Sequence, residues 1–272
     1  MNFGIYELIK CLKPLDPHGA ASDDFISYGH NGNCTRLSLD GWKRQPHSGT
    51  LVPHTPPPGG HPMNITSTSL TDSEPISERF AFCRIDPETH AALSDNVSPH
   101  LAWSGAPEGT RSFALLCMDP DVPTVGDDVN QEGRVVPHDL PRCEFCHWVM
   151  IDIPSNCCEL TEGACSNGIT AGGKSDPPGP EGSRQGINNY TDWFDGDPDM
   201  GGDYHGYDGP APPWNDERLH HYQFTIYALD IDACPVDGTD FRAPEILKAI
   251  EGHVLAQATL TGSYTLNPAR SE

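Results

Sequence analysis

The chain has 272 residues, enough for one domain with a sizeable core or two small ones. Gly and Pro contribute 27 residues each, which argues for a loop-rich, β-leaning fold and against a helix bundle. A formal net charge of -23 speaks against nucleic acid and anionic membrane as partners, and no apolar run is long enough to cross a membrane as a helix.

The charge is uneven. Residues 1–62 hold five acids (Glu7, Asp16, Asp23, Asp24, Asp40) and five bases (Lys10, Lys13, Arg36, Lys43, Arg44), so the whole -23 falls on residues 63–272. Residues 1–62 lack a sustained period of 2 or 3.6 and end in a run of Pro, His and Gly that cannot pack a core. They read as a disordered extension, or as sequence upstream of a true start at Met63. Pro53 and Pro56 form a PxxP, a pattern frequent in such tails. Residues 63–272 read as one domain. Glu7 and Lys10 interrupt the apolar stretch at the N-terminus, which argues against a signal peptide. The ten cysteines then read as reduced thiols, and the location as cytoplasmic.

In chain order, the apolar segment from Phe80 to Ile85 predicts a first strand, and Leu101 to Trp103 a short one. Ser112 to Met118 predicts a buried strand, ended by Pro120 and Pro123. Phe145 to Pro154 predicts another, with Phe145, His147, Val149, Ile151 and Ile153 on one face. Residues 154–218 are mostly loop, longer than compact domains hold without a functional reason. Leu219 to Asp230 predicts a strand in which His220, Tyr222, Phe224, Ile226 and Ala228 share a face. Ala243 to Glu251 has helical spacing with Gly252 as its stop, and His253 to Tyr264 closes as a strand. These elements predict an antiparallel β-sandwich with helical trimmings.

Several motifs lack the context their chemistry needs. Gly168 to Ser175 matches GxxxxGK[ST], but Pro177, Pro178 and Pro180 forbid the helix that must follow. Cys143-Glu-Phe-Cys146-His147 matches CxxCH, yet Cys146 and His147 fall on opposite faces of a strand. Asp195, Asp197 and Asp199 resemble the start of a calcium loop, but its sixth and twelfth positions are Met200 and Gly206. No metal or cofactor is expected.

The candidate site comes from polar residues placed where strands meet loops. Asp119 and Asp121 close one strand, His147 opens another, and His220 and Tyr222 begin a third just after Gly209 to Pro213. Two His and a Tyr can donate to a small anion, and an Asp can fix a His tautomer. The same Asp and His could serve as general base and acid on a small phosphoester or amide. The acidic loops could instead bind a basic protein partner.

Four blocks in this order resemble the phosphatidylethanolamine-binding protein family: Asp119-Pro-Asp-Val-Pro123, His147-Trp-Val-Met-Ile-Asp-Ile-Pro154, Gly209-Pro-Ala-Pro-Pro213 and His220-His-Tyr222. The details resemble its bacterial, Raf-kinase-inhibitor-like branch. The resemblance implies a mostly β fold, an antiparallel sandwich of a large and a small sheet with Greek-key connections, one or two peripheral helices and long loops. It also implies an anion pocket of Asp119, His147, Gly209, Pro210, His220 and Tyr222, supported by Asp121 and Pro123. The expected ligand is phosphate or phosphoethanolamine, bound without catalysis. His147 and His220 would donate to it, and Asp119 would orient a His. Tyr264 is a candidate for a C-terminal pocket residue.

Overall fold

The computed structural model describes residues 62–270. The expectations of disorder in the N-terminal extension and of a PxxP ligand lie outside the described residues. The strands are β1 (Asn64–Thr66), β2 (Cys83–Asp86), β3 (His90–Leu93), β4 (Leu101–Ser104), β5 (Ser112–Pro123), β6 (Arg142–Pro154), β7 (Glu159–Leu160), β8 (Arg184–Gln185), β9 (His220–Leu229) and β10 (Val254–Tyr264). Two helices join them, α1 (Tyr190–Trp193) and α2 (Ala243–Ala249). The large sheet runs β10-β9-β5-β6-β8, the small sheet β1-β4-β7, and β2 pairs with β3 as a ribbon. Every paired strand is antiparallel.

The apolar runs of β5, β6 and β9 are nearly continuous because the large sheet is covered on both faces. On the front, Phe113, Leu115, Trp148, Phe224 and Ile226 pack with Ile65, Leu101, Trp103 and Leu160 of the small sheet. On the back, Leu116, Val149, Ile151 and Leu229 pack with Ala243, Ile246 and Ile250 in and beside α2. The expected sandwich is therefore present, with a helix as a third layer.

The structure revises four expectations. First, β5 continues through Pro120 to Pro123. Its pairing with β9 ends at Met118 opposite Gln223, so beyond that point β5 is an edge, where proline removes no ladder hydrogen bond. A bulge between Asp119 and Val122 absorbs the misfit against β6. Second, the face of β6 is not continuous. Cys117 lies opposite Trp148 and Met118 opposite Cys146, so His147 is the extra residue of a bulge. Parity flips there. Phe145 and His147 share the front with Trp148 and Met150, while Val149 and Ile151 face the back with Cys146. A second irregularity at Asp152, where φ is 58°, returns Ile153 to the front.

Third, the first predicted strand starts late. Glu78–Phe80 forms a 3₁₀ turn, and the N–H groups of Phe82 and Cys83 both donate to Pro210 O. Fourth, β1 carries no strong pattern in the sequence, because three residues at a sheet edge need only one buried side chain, Ile65.

The Phe80 contact explains one glycine. A Cβ on Gly209 would sit 2.0 Å from Phe80 O. That carbonyl also accepts the Tyr207 hydroxyl at 2.5 Å, so it cannot yield freely. The substitution Gly209→Ala is expected to cost about 3 kcal/mol, in the upper range of overpacking. Urea denaturation of the wild type and variant checks it, with Gly126→Ala as a control where a Cβ meets nothing within 4 Å.

Candidate functional site

The site lies where one end of β5 meets the starts of β6 and β9. Strand β9 brings His220 and Tyr222 onto the front face, both fully buried. Strand β5 brings Asp119 beside them, and the bulge in β6 turns His147 to the same side. His147 and Tyr222 meet edge to face with ring centroids 5.0 Å apart. Phe145 and Tyr190 flank His147, with centroids at 4.8 and 5.6 Å.

His220 donates from both ring nitrogens to carboxylates. Nδ1 lies 2.7 Å from Asp119 Oδ2, and Nε2 lies 3.1 Å from Asp216 Oδ2. Only the imidazolium can donate twice. Burial alone would lower its pKa, but the two carboxylates outweigh burial and raise it to about 9. Asp216 is held in turn by a two-pronged contact from Arg142, with Nη1 to Oδ2 at 2.5 Å and Nη2 to Oδ1 at 3.0 Å. Burial would raise the Asp216 pKa, yet its bonds to His220 and Arg142 hold it below the usual value. The four side chains form a chain of alternating sign, Asp119, His220, Asp216 and Arg142, with no net charge.

His147 is fixed differently. Its Nδ1 lies 2.8 Å from Asp208 O, a carbonyl that can only accept, so Nδ1 carries the proton. Burial lowers the pKa, outweighing the Asp119 charge and the nearby carbonyls. The ring is therefore neutral near pH 7, with Nε2 as an acceptor. The carboxylate of Asp208 lies wholly inside the protein. It accepts from Lys174 Nζ at 2.6 Å, Asn96 at 2.8 Å and Asn188 at 2.9 Å. Burial pushes its pKa up against these three donors, and with only donors around it the group is a carboxylate. Tyr222 has no such support. Its hydroxyl is buried beside the Asp119 carboxylate but makes no hydrogen bond of normal geometry among the described residues, and burial, then the Asp119 charge, raises its pKa well above 10.0.

The structure thus brings together Asp119, His147, His220 and Tyr222. Gly209 and Pro210 border them. Gly209 O accepts the Tyr190 hydroxyl at 2.7 Å, and Pro210 O ties down Phe82 and Cys83. Four expectations change. His220 keeps no N–H for a ligand, because both are held by carboxylates. Asp121 turns its carboxylate away, to His221 Nδ1 at 2.8 Å and Arg218 at 3.4 Å, and supports the site through its backbone, with its N–H on Asp119 Oδ1 and its carbonyl accepting from Arg142. Tyr264 donates its hydroxyl to Cys83 O at 2.9 Å. Pro123 sits opposite Arg142 at the end of β5, beside the site rather than in it.

Sequence reasoning missed Asp216, Arg142, Asp208, Lys174, Asn96 and Asn188. Lys174 had been noticed for a different reason, as the lysine of the GxxxxGK[ST] pattern. No helix follows it, and its ammonium neutralises Asp208. Asp197 likewise caps its own loop, accepting from the N–H groups of Asp199 and Met200 at 2.9 and 2.8 Å.

Comparison with known proteins identifies the family. The family model described as phosphatidylethanolamine-binding protein matches residues 66–265. The UPF0098 protein YbhB of Escherichia coli K12 is 30% identical over 203 residues, covering 75% of this chain and 100% of YbhB. A Mycobacterium tuberculosis protein named as a lipoprotein, LppC, is 30% identical over 221 residues, 80% of each chain. The crystal structure of E. coli YbcL, described as a new member of the mammalian PEBP family, aligns with a TM-score of 0.54 at 25% identity, covering 75% of this chain and 99% of YbcL. With the family model spanning nearly all the described residues, and with the four sequence blocks meeting at one end of the sheet, the chain belongs to the phosphatidylethanolamine-binding protein family.

Proposed function

We propose that this protein binds a small anion of the phosphate or phospholipid-headgroup type between Tyr222 and His147, and that it does so without catalysis. The observation that carries this reading is the Tyr222 hydroxyl, a buried donor without a well-formed hydrogen bond, beside His147 and Asp119. Buried polar groups are nearly always paired, so such a group marks where a ligand oxygen belongs. Tyr222 donates to that oxygen. His147 Nε2 accepts from a protonated phosphate oxygen, or donates to a charged one once the ring gains a proton. The network of Asp119, His220, Asp216 and Arg142 is neutral, so the site does not oppose an anion although the chain carries -23.

Binding rather than turnover is supported by the state of the possible nucleophiles. Burial holds the Tyr222 hydroxyl protonated, and it pushes the thiol of Cys117, which lies on the same face, well above its ordinary value. A cytoplasmic location belongs to the same proposal, supported by eight cysteines that are all free among the described residues. Because LppC is named as a lipoprotein, fractionation of cells making the native chain is the direct check. Recovery in the membrane fraction would overturn the location.

Calorimetric titration with phosphate and phosphoethanolamine at equal ionic strength tests the site. Affinity, corrected for the ligand's own change of charge, is expected to tighten as pH falls below 6.5 and His147 gains its proton. Tyr222→Phe is expected to weaken binding by about tenfold or more, the worth of a hydrogen bond to a charged group. It should not destabilise the free protein, since the lost hydroxyl has no well-formed hydrogen bond there. Corrected affinity that rises with pH, or unchanged binding in Tyr222→Phe, would refute the proposal.

Stability gives a separate pH prediction. The folded state binds the His220 proton more tightly than the unfolded chain, so its stabilisation is complete below pH 6.5 and is lost as pH rises through about 9. The loss is expected to be about 3 kcal/mol. His147 has the opposite sign. Its depressed pKa is a stabilisation present above the unfolded value and lost as pH falls. Urea midpoints from pH 6 to 9 should therefore fall in the wild type and stay flatter in His220→Gln.

A further inference from the structure

We propose that Asp216 and Arg142 are positioning residues of the binding site, which hold His220 as a fixed cation and leave the titration of ligand binding to His147. This inference rests on the anion-site reading above. Neither residue belongs to the four sequence blocks. Asp216 lies in the loop between Pro213 and β9, and Arg142 is the first residue of β6.

The geometry gives each a distinct task. Asp119 alone would satisfy only one ring nitrogen of His220, and a neutral imidazole would do for that. Asp216 meets the other nitrogen, so a neutral ring would place a lone pair against a carboxylate, which is repulsive. The clamp therefore enforces the charged ring. Asp216 by itself would leave the site one negative charge in excess. Arg142 cancels that charge with two parallel contacts. It is also bound to the carbonyls of Asp121, Pro137 and Leu140 at 2.9, 2.8 and 3.1 Å. These bonds tie the loop after β5 and the loop before β9 to one guanidinium. Both Arg142 and Asp216 are buried side chains, 5% and 1% exposed, so solvent weakens the contact little.

The groups that face His220 can be named element by element. They are Asp119 from β5, His147 from β6, Asp216 from the preceding loop, and Tyr222 on its own strand. Tyr264 is its register partner on β10, with its hydroxyl committed to Cys83. Of these His147 is the ring with no carboxylate on a nitrogen, its fixed proton on Nδ1 being held by the Asp208 carbonyl, so it is the one whose charge can change as pH falls. The protein's own share of the pH response of binding then belongs to one histidine although the site holds two.

The test is a long-range ¹H–¹⁵N NMR titration of histidine rings in the full chain, with His220→Gln for assignment, paired with phosphate titration calorimetry. In the wild type His220 should show two protonated ring nitrogens from pH 5 to pH 8. In Asp216→Asn the amide can donate to Nε2, so the ring should titrate inside that range. The network of Asp216→Asn carries no net charge at pH 7.5, where its His220 is neutral, and one positive charge at pH 5.5, so its phosphate affinity should match the wild type within about twofold at pH 7.5 and exceed it several-fold at pH 5.5. A merely structural role would lower affinity equally at both pH values.

A neutral His220 tautomer in the wild type below pH 8 would overturn the clamp with no variant needed. An Asp216→Asn protein whose His220 titrates as in the wild type would overturn it too. No phosphate binding by the wild type, with both His220 ring protons present at pH 8, would overturn the anion reading while leaving the clamp in place.

Discussion

The large sheet is buried on both faces, and that constraint governs everything at its end. A strand between two apolar layers has no polar side on which to carry a functional group. The chain solves this with one additional residue in β6. The bulge at His147 lets Cys146 stay in the back core and Trp148 in the front core while a histidine joins the front between them. Trp148 is then anchored on its own account, with its indole N–H on Gln185 Oε1 at 2.7 Å and its ring edge to face with Tyr207. A strand of strict alternation would have put His147 in line with Val149 and Ile151, against α2. The position of the site is a consequence of where the ladder slips.

Much of the fold can be read from the sequence because its cues are local. Period-2 alternation in His220 to Ala228 marks a strand and its buried face, and Ala243 to Gly252 marks a helix and its end. Burial of runs such as Phe113 to Cys117 is likewise visible. What escapes is whatever depends on a neighbour. The slip at His147 is invisible without β5 beside it. The survival of β5 through two prolines depends on its pairing with β9 having ended at Met118. The short strand β1 exists only because β4 offers it an edge.

The site divides in the same way. Asp119, His147, His220 and Tyr222 are legible from residue type and placement at strand ends. Their partners are not. Arg142 looks like an ordinary charge before a strand, and Asp216 like one acid in an acidic loop. Asp208 sits between an aromatic and a glycine without any pattern. Each becomes significant only through a contact distant in sequence, such as Asn96 with Asp208 or Arg142 with Asp216. Sequence also misassigned roles. It gave both histidines to the ligand, whereas the second carboxylate on His220 closes that ring off.

The ion pair of Lys174 with Asp208 lies in a loop region with little regular structure, yet it is among the least exposed charge pairs of the described residues. Neither partner can be lost alone without stranding the other in a low-dielectric interior, and the same holds for Arg142 with Asp216. Such pairs evolve as units. Among related chains, a neutral residue at the position of Lys174 should accompany a neutral residue at that of Asp208, so the pair would be inherited or discarded together.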